Sequence, residues 1–291
     1  MDKIAVKALA KINLGLDVVR RREDGYHEVR MVMQTIHLFD QLDIRKAKEA
    51  GITLRTNLPF LPVDNHNLAY RAAEMMQEEF KLTQGVSILL KKHIPVAAGM
   101  AGGSTDAAAV LFGMNELFRL GLSKKELMER GVKLGADVPY CIMRGTALAE
   151  GIGEKLTPLP PMVKCPVLIA KPQISVSTRY VYEHLNLAEV SGHPDIDRLL
   201  SDIEKKDLRA IATDMGNILE TVTIPIHPEI AEIKKCMCEH GALNALMSGS
   251  GPTVFGLYES MADAKKAAEK IRKQKLAKQV FVTDIYNNRR G

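Results

Sequence analysis

Alternation of apolar and polar residues opens the chain. Ile4, Val6 and Ala8, then Ile12, Leu14, Leu16 and Val18, recur at every second position, the period of a strand with one buried face. The stretch from Met31 to Ile44 is longer and more continuously apolar, and predicts a deeply buried strand. Val86, Ile88 and Leu90 mark a further strand. Helical spacing predicts helices from Asn67 to Phe80, Thr105 to Phe118 and Lys124 to Leu134. The last opens with Ser123 and Glu126 at the spacing of a capping box.

Pro158, Pro160, Pro161 and Pro166 interrupt this pattern. Each proline restricts itself and its predecessor, so the cluster reads as a connector between an N-terminal domain, 1–160, and a C-terminal domain, 161–291. Beyond it the pattern predicts a strand from Val167 to Ala170 and a short helix holding Tyr180 and Tyr182. Two helices follow, near Pro194 to Glu204 and Asp207 to Leu219. The closing order is helix (Pro228 to His240), strand pair (Ala242 to Met247, Thr253 to Tyr258), helix (Ala262 to Lys273) and strand (Gln279 to Asp284). That order fits a small α/β sandwich, helices on an antiparallel sheet.

Composition narrows the class. With 46% hydrophobic and 26% charged residues in 291, the chain has the makings of a soluble, two-domain protein. No apolar run approaches a membrane span, and the first residues, Met1-Asp2-Lys3-Ile4, carry no signal-peptide core, so a cytoplasmic location is expected, with no membrane partner. Cys141, Cys165, Cys236 and Cys238 form no disulfide framework, and Cys236 and Cys238, two apart on a helix, point in different directions. Net charge is +5, a mild excess that suits a polyanionic small substrate. The densest basic patch, Lys265 to Lys278, alternates with Ala264, Ala267, Ala268 and Ile271 and lacks aromatic residues, so it reads as a solvated helix face and not as a nucleic-acid surface.

The chemistry begins at Pro95-Val96-Ala97-Ala98-Gly99-Met100-Ala101-Gly102-Gly103-Ser104-Thr105, where an apolar strand gives way to an alanine-rich helix. Gly99, Gly102 and Gly103 leave no Cβ in the way of an anion. The helix that follows offers unpaired N–H groups and a positive dipole end. The spacing excludes a Walker A loop, a Rossmann fingerprint and the protein-kinase landmarks. The same residues also suit a glycine-rich turn capped by Ser104.

Four further segments admit two readings each. Lys11 and Asn13 share one face of a strand, as exposed residues or as a functional pair. In Asp24-Gly25-Tyr26-His27 a turn is followed by an aromatic ring and an imidazole, a packed hairpin tip or part of a nucleobase pocket. Asp137, before Val138-Pro139, is a helix N-cap or a general base. Ser248-Gly249-Ser250-Gly251-Pro252-Thr253 is a hairpin turn or a second anion-contacting loop.

Taken together and in this order, these segments resemble the GHMP small-molecule kinases over nearly the whole chain. The pairing of Ala10-Lys11-Ile12-Asn13-Leu14 with Arg22-Glu23-Asp24-Gly25-Tyr26-His27 resembles the branch whose substrate is a cytidyl diphosphate sugar alcohol, more than the mevalonate or homoserine kinases or a non-catalytic sensor on the same fold. Asn67-Leu68-Ala69-Tyr70-Arg71-Ala72-Ala73 and Leu134-Gly135-Ala136-Asp137-Val138-Pro139 are similar to the same branch. The resemblance implies an α+β fold of two parts, an N-terminal domain like ribosomal protein S5 domain 2 and a ferredoxin-like C-terminal domain, with substrates meeting between them. It implies phosphoryl transfer from ATP, accompanied by Mg²⁺ with few protein ligands, to a substrate hydroxyl. Asp137 is then the base and Lys11 its partner. Asn67 and the loop from Pro95 to Thr105 hold ATP, with Ser104 or Thr105 as a hydroxyl contact. Tyr26, His27 and Tyr182 hold the cytosine, and Asn13, Thr178, Ser248 and Gly249 lie near the substrate. Met100 stands where the family usually has leucine, and Thr105 where it has serine. Tyr182 is placed through Pro172 to Thr178, with Tyr180 two residues away as the competing choice.

Overall fold

The computed structural model describes residues 2–190 and 192–287. Strand β1 (Lys3–Arg21) runs beside β2 (His27–Ala47), and their length follows from uninterrupted β-forming runs on either side of the Asp24-Gly25 turn. Strand β3 (Ile52–Thr56), helix α1 (Leu68–Glu79) and strand β4 (Gly85–Lys91) form a crossover in which β3 lies parallel to β4. Helices α2 (Gly102–Phe118), α3 (Lys124–Leu134) and α4 (Val138–Met143) follow. The hairpin β5 (Thr146–Gly151) and β6 (Lys155–Pro158) leads to β7 (Pro166–Lys171) and α5 (Thr178–Glu183). Next come α6 (Ile196–Lys205), α7 (Leu208–Asp214), β8 (Gly216–Asn217), α8 (Glu220–Ile226) and α9 (Glu229–Glu239). The described chain ends with β9 (Asn244–Met247), β10 (Val254–Leu257), α10 (Met261–Lys273) and β11 (Gln279–Asp284).

These elements fall into two compact units that interleave in sequence. The first holds 1–10, 38–96 and 101–143; the second holds 11–37, 97–100 and 144–291. In the first, β4 pairs antiparallel with the C-terminal part of β2 and parallel with β3. Helix α2 packs against α1, α3 and α4 and meets the strands at Gly113, where an added side chain would touch Ile44, Val6 and Ile4. The predicted capping box of α3 is present: the Glu126 amide donates to Ser123 Oγ at 3.3 Å and the Ser123 amide to Glu126 Oε2 at 2.8 Å.

In the second unit, β5 pairs with the N-terminal part of β2, and β8 lies parallel to β1 at Gly15 and Leu16. The strand order β11-β7-β10-β9 makes a four-stranded antiparallel sheet with α9 and α10 packed on it. This is the split βαβ topology of the ferredoxin-like fold. Val167, Leu168, Ile169 and Ala170 of β7 are all buried, as a strand covered on both faces requires. Helix α10 buries Ala264, Ala267, Ala268 and Ile271 and leaves Lys265, Lys266, Arg272 and Lys273 in solvent, the basic helix face that the pattern predicts.

Two predicted elements change. Helix α2 starts at Gly102 instead of Thr105, because Ala101 adopts the left-handed conformation (φ 56) and its carbonyl accepts the Thr105 amide at 2.8 Å. The helix predicted from Asp207 to Leu219 ends at Asp214; Gly216 and Asn217 leave it to pair with β1.

Candidate functional site

In the first unit, the glycine loop supplies an open helix start. Ala101, the residue before α2, has no side chain able to cap, and the amides of Gly102, Gly103 and Ser104 have no partner within the helix. Three amides at a positive dipole end, with an exposed Gly103 among them, are chemically suited to take an anion. Ser104 is half-buried in this first turn. Thr105 differs: it is buried, and its hydroxyl donates to the Leu9 carbonyl at 2.8 Å while its amide is bound to Ala101. Of the two predicted hydroxyl contacts, only Ser104 therefore has its donor uncommitted to the fold. Pro95 and Val96 carry β4 into the loop.

Asn67 is the N-cap of α1, accepting from the Ala69 amide at 2.9 Å and donating to the Pro62 carbonyl at 2.8 Å. Both ends of its amide serve the local fold. Asp137 sits in the turn from Gly135 into α4, with Val138 bonded back to Gly135 at 3.1 Å and its own carbonyl taking the Cys141 amide at 3.0 Å. Its side chain is half-buried, and the close packing of α3 on α4 at Gly131, against Val138 and Ile142, fixes the turn.

In the second unit, alternation along β1 puts Lys11 and Asn13 on one face, and both are buried. Lys11 Nζ donates to Asn13 Oδ1 at 2.5 Å, and among the described residues Lys11 takes part in no ion pair. A buried ammonium without a counter-ion costs several kcal/mol unless an anion arrives. That cost favours a functional lysine over a packed one.

The loop 97–100 meets the glycine turn at this place. The Lys11 amide donates to the Met100 carbonyl at 3.3 Å, and Ser248 Oγ donates to the Gly99 carbonyl at 3.0 Å. Ala97 and Gly99 both have positive φ (49 and 69), and a Cβ on Gly99 would run into the Ser248 carbonyl oxygen. Ala98 and Met100 are buried and anchor the loop. A Cβ on Gly249 would lie 3.6 Å from Asn13 Oδ1. Thr178 Oγ1 and Ser250 Oγ are 2.7 Å apart, which joins α5 to the same turn. Lys11, Asn13, Gly99, Thr178, Ser248 and Gly249 thus converge.

Asn217 is missing from the sequence candidates, and Ser250 enters them only as part of the Ser248–Thr253 turn. Asn217 donates to the carbonyls of Met247 and Gly249, both at 2.8 Å, and pins the turn from beneath. A lone asparagine inside Met215-Gly216-Asn217-Ile218-Leu219 was the available signal, because a buried amide needs partners.

An aromatic pair completes the unit. The rings of His27 and Tyr182 are 5.2 Å apart and tilted by 38°. Burial, then the Arg21 charge, lowers the His27 pKa, so its neutral ring offers one donor and one acceptor. Tyr26 is 61% exposed, free to cover a ligand. Tyr180 stacks on His184 at 3.8 Å, so Tyr182 is the tyrosine that faces His27.

Comparison with known proteins agrees along the chain. The GHMP kinases N terminal domain matches residues 67–145, and the GHMP kinases C terminal domain matches 199–277. A 4-diphosphocytidyl-2-C-methyl-D-erythritol kinase from Lachnospira eligens is 55% identical over 98% of this chain and 99% of its own length. The crystal structure of a 4-(cytidine 5'-diphospho)-2C-methyl-D-erythritol kinase superposes with a TM-score of 0.84 at 33% identity, covering 98% of this chain and all of that one (100%). Homoserine kinase from Cytophaga hutchinsonii shares the fold, with a TM-score of 0.79 at 21% identity over 100% of this chain and 96% of that one.

Proposed function

From membership of the GHMP kinases, the family to which this chain belongs, we propose that it transfers the γ-phosphoryl group of ATP to the 2-hydroxyl of 4-diphosphocytidyl-2-C-methyl-D-erythritol. The observation that carries the substrate is identity of 55% along virtually the whole chain to a relative of that name. The buried, unpaired Lys11 and the facing rings of His27 and Tyr182 support it.

Phosphoryl transfer has a loose transition state, so the protein's work is alignment and charge neutralisation. The Gly102, Gly103 and Ser104 amides hold the phosphates, joined by the loop from Pro95 to Met100. Asp137 accepts the proton of the attacking hydroxyl. Lys11, oriented by Asn13, offsets charge that builds on the reacting oxygens. Tyr26, His27 and Tyr182 bind the cytosine, while Thr178, Ser248 and Gly249 line the remainder of the substrate. Among the described residues no cluster of three His, Cys, Asp or Glu side chains is arranged for a metal. Magnesium bound with ATP would be held beside the Ser104 hydroxyl, which the fold leaves uncommitted, and would supply neutralisation of phosphate charge.

The test is ADP release from purified protein with ATP-Mg²⁺ and, in separate reactions, the cytidyl substrate, mevalonate or homoserine. Turnover with the cytidyl compound alone is expected. Turnover with mevalonate or homoserine in its place overturns the substrate, and tight binding without turnover on any overturns the kinase role. Within the base pocket, Tyr182→Ala is expected to raise KM for the cytidyl substrate by roughly 5- to 150-fold, the equivalent of about 1–3 kcal/mol of stacking. Tyr180→Ala, which removes only the ring on His184, is expected to leave that KM within about twofold. Equal effects of the two would break the assignment.

A further inference from the structure

Beside the first turn of α2 lies a group of buried charges that the proposed reaction does not use. The side chains of Lys92, Asp40 and Asp106 are 4%, 0% and 4% exposed. The Lys92 ammonium donates to Asp40 Oδ2 and, at 2.7 Å, to Asp106 Oδ2. Asp40 has further donors, the His93 and Ile94 amides at 2.5 and 2.8 Å on its Oδ1. Asp106 has none: its Oδ1 is buried and takes no hydrogen from any described residue. The two carboxyls share the single Lys92 ammonium, so two negative charges would face one positive charge away from water. Lys92 Nζ is 3.2 Å from the point a Cβ on Gly102 would occupy, so the cluster abuts the loop backbone. With both carboxylates ionised it would hold a net negative charge against amides offered to an anion.

We infer that Asp106 is a positioning residue that carries a proton at neutral pH, so that the Asp40–Lys92–Asp106 cluster is neutral, fixes the first turn of α2 and leaves its amides unopposed for the nucleotide phosphates. This rests on the reading of that turn as the phosphate seat. The charged groups facing Asp106 are Lys92, the residue after β4, and Asp40, from β2. Burial is the largest influence and holds the Asp106 carboxyl well above the ordinary range; Lys92 opposes it and the Asp40 charge adds to it. A carboxyl raised in this way stabilises the folded state fully below its unfolded pKa, and that contribution is lost as pH rises through the folded value. ATP affinity falls over the same rise, as the cluster gains a negative charge.

Carboxyl ¹³C NMR of aspartate-labelled, nucleotide-free protein tests the charge state, and calorimetry with ATP across neutral to alkaline pH tests the consequence. The expected spectrum holds a protonated aspartate signal at neutral pH that Asp106→Asn removes. Wild-type ATP affinity should fall about tenfold as that signal titrates, the effect of one buried charge at short range, and Asp106→Asn should be flat over the same interval. Asp106→Ala should bind ATP about tenfold more weakly at every pH, with asparagine restoring affinity. An Asp106 carboxyl already ionised at neutral pH overturns the inference, as does an alkaline loss of affinity that survives Asp106→Asn. A protein that binds no ATP while the carboxyl signal still titrates retires the phosphate seat and the positioning role with it, and leaves the neutral cluster standing.

Discussion

Asp137→Asn is expected to lower kcat by about 10³-fold, within the range of a lost general base, while thermal unfolding stays where it is. The amide matches the carboxylate in shape, so the turn from Gly135 through Val138, the start of α4 and the Gly131 contact should persist. What disappears is the ability to take a proton from the attacking hydroxyl. KM for ATP should change little, because the loop amides that hold the phosphates are untouched. Steady-state ADP release with the cytidyl substrate, paired with a melting curve, measures both quantities. A kcat within about threefold of wild type would reduce Asp137 to a residue that starts a helix.

Gly99→Ala should be severely damaging for so small a substitution. Gly99 has φ +69, and its missing Cβ makes room for the backbone oxygen of Ser248, which no rotamer change can move aside. Left-handed strain costs about 1–2 kcal/mol, and the collision adds to it, for a total on the order of 3 kcal/mol or a displaced loop with ATP affinity lost. Gly121→Ala provides the control. It has φ +72 and nothing within 4 Å of its added Cβ, so it carries the strain alone. Denaturant midpoints of the two variants separate the terms, and equal losses would show that the contact with Ser248 carries no weight.

Much of this molecule is legible in the sequence, for identifiable reasons. Helix α3 and strand β11 follow from local pattern, the former helped by a capping box that needs no tertiary partner. The pairing of Lys11 with Asn13 follows from strand geometry alone. Elements made by long-range contact were not legible. The hairpin β5–β6 begins Thr146-Ala147-Leu148-Ala149-Glu150, a run with weak β propensity that becomes a strand because β2 lies beside it. Two residues, Gly216 and Asn217, form β8 only because β1 accepts them. The same limit applies to chemistry. Thr105 and Ser104 look equivalent as hydroxyls until the Leu9 carbonyl is seen to take one of them. Nothing in the pattern of the helix predicted from Thr105 to Phe118 signals that Asp106 is buried against Lys92.

The interleaving of the two units has a consequence for chimeras. Recombining related genes at the proline cluster would inherit β8 from one parent and its register partners Gly15 and Leu16 from the other. Breakpoints between β6 and β8 spare the β2–β5 ladder but still break the β1–β8 match. Modules of this protein are therefore transplanted as noncontiguous sets of segments, not as a front half and a back half.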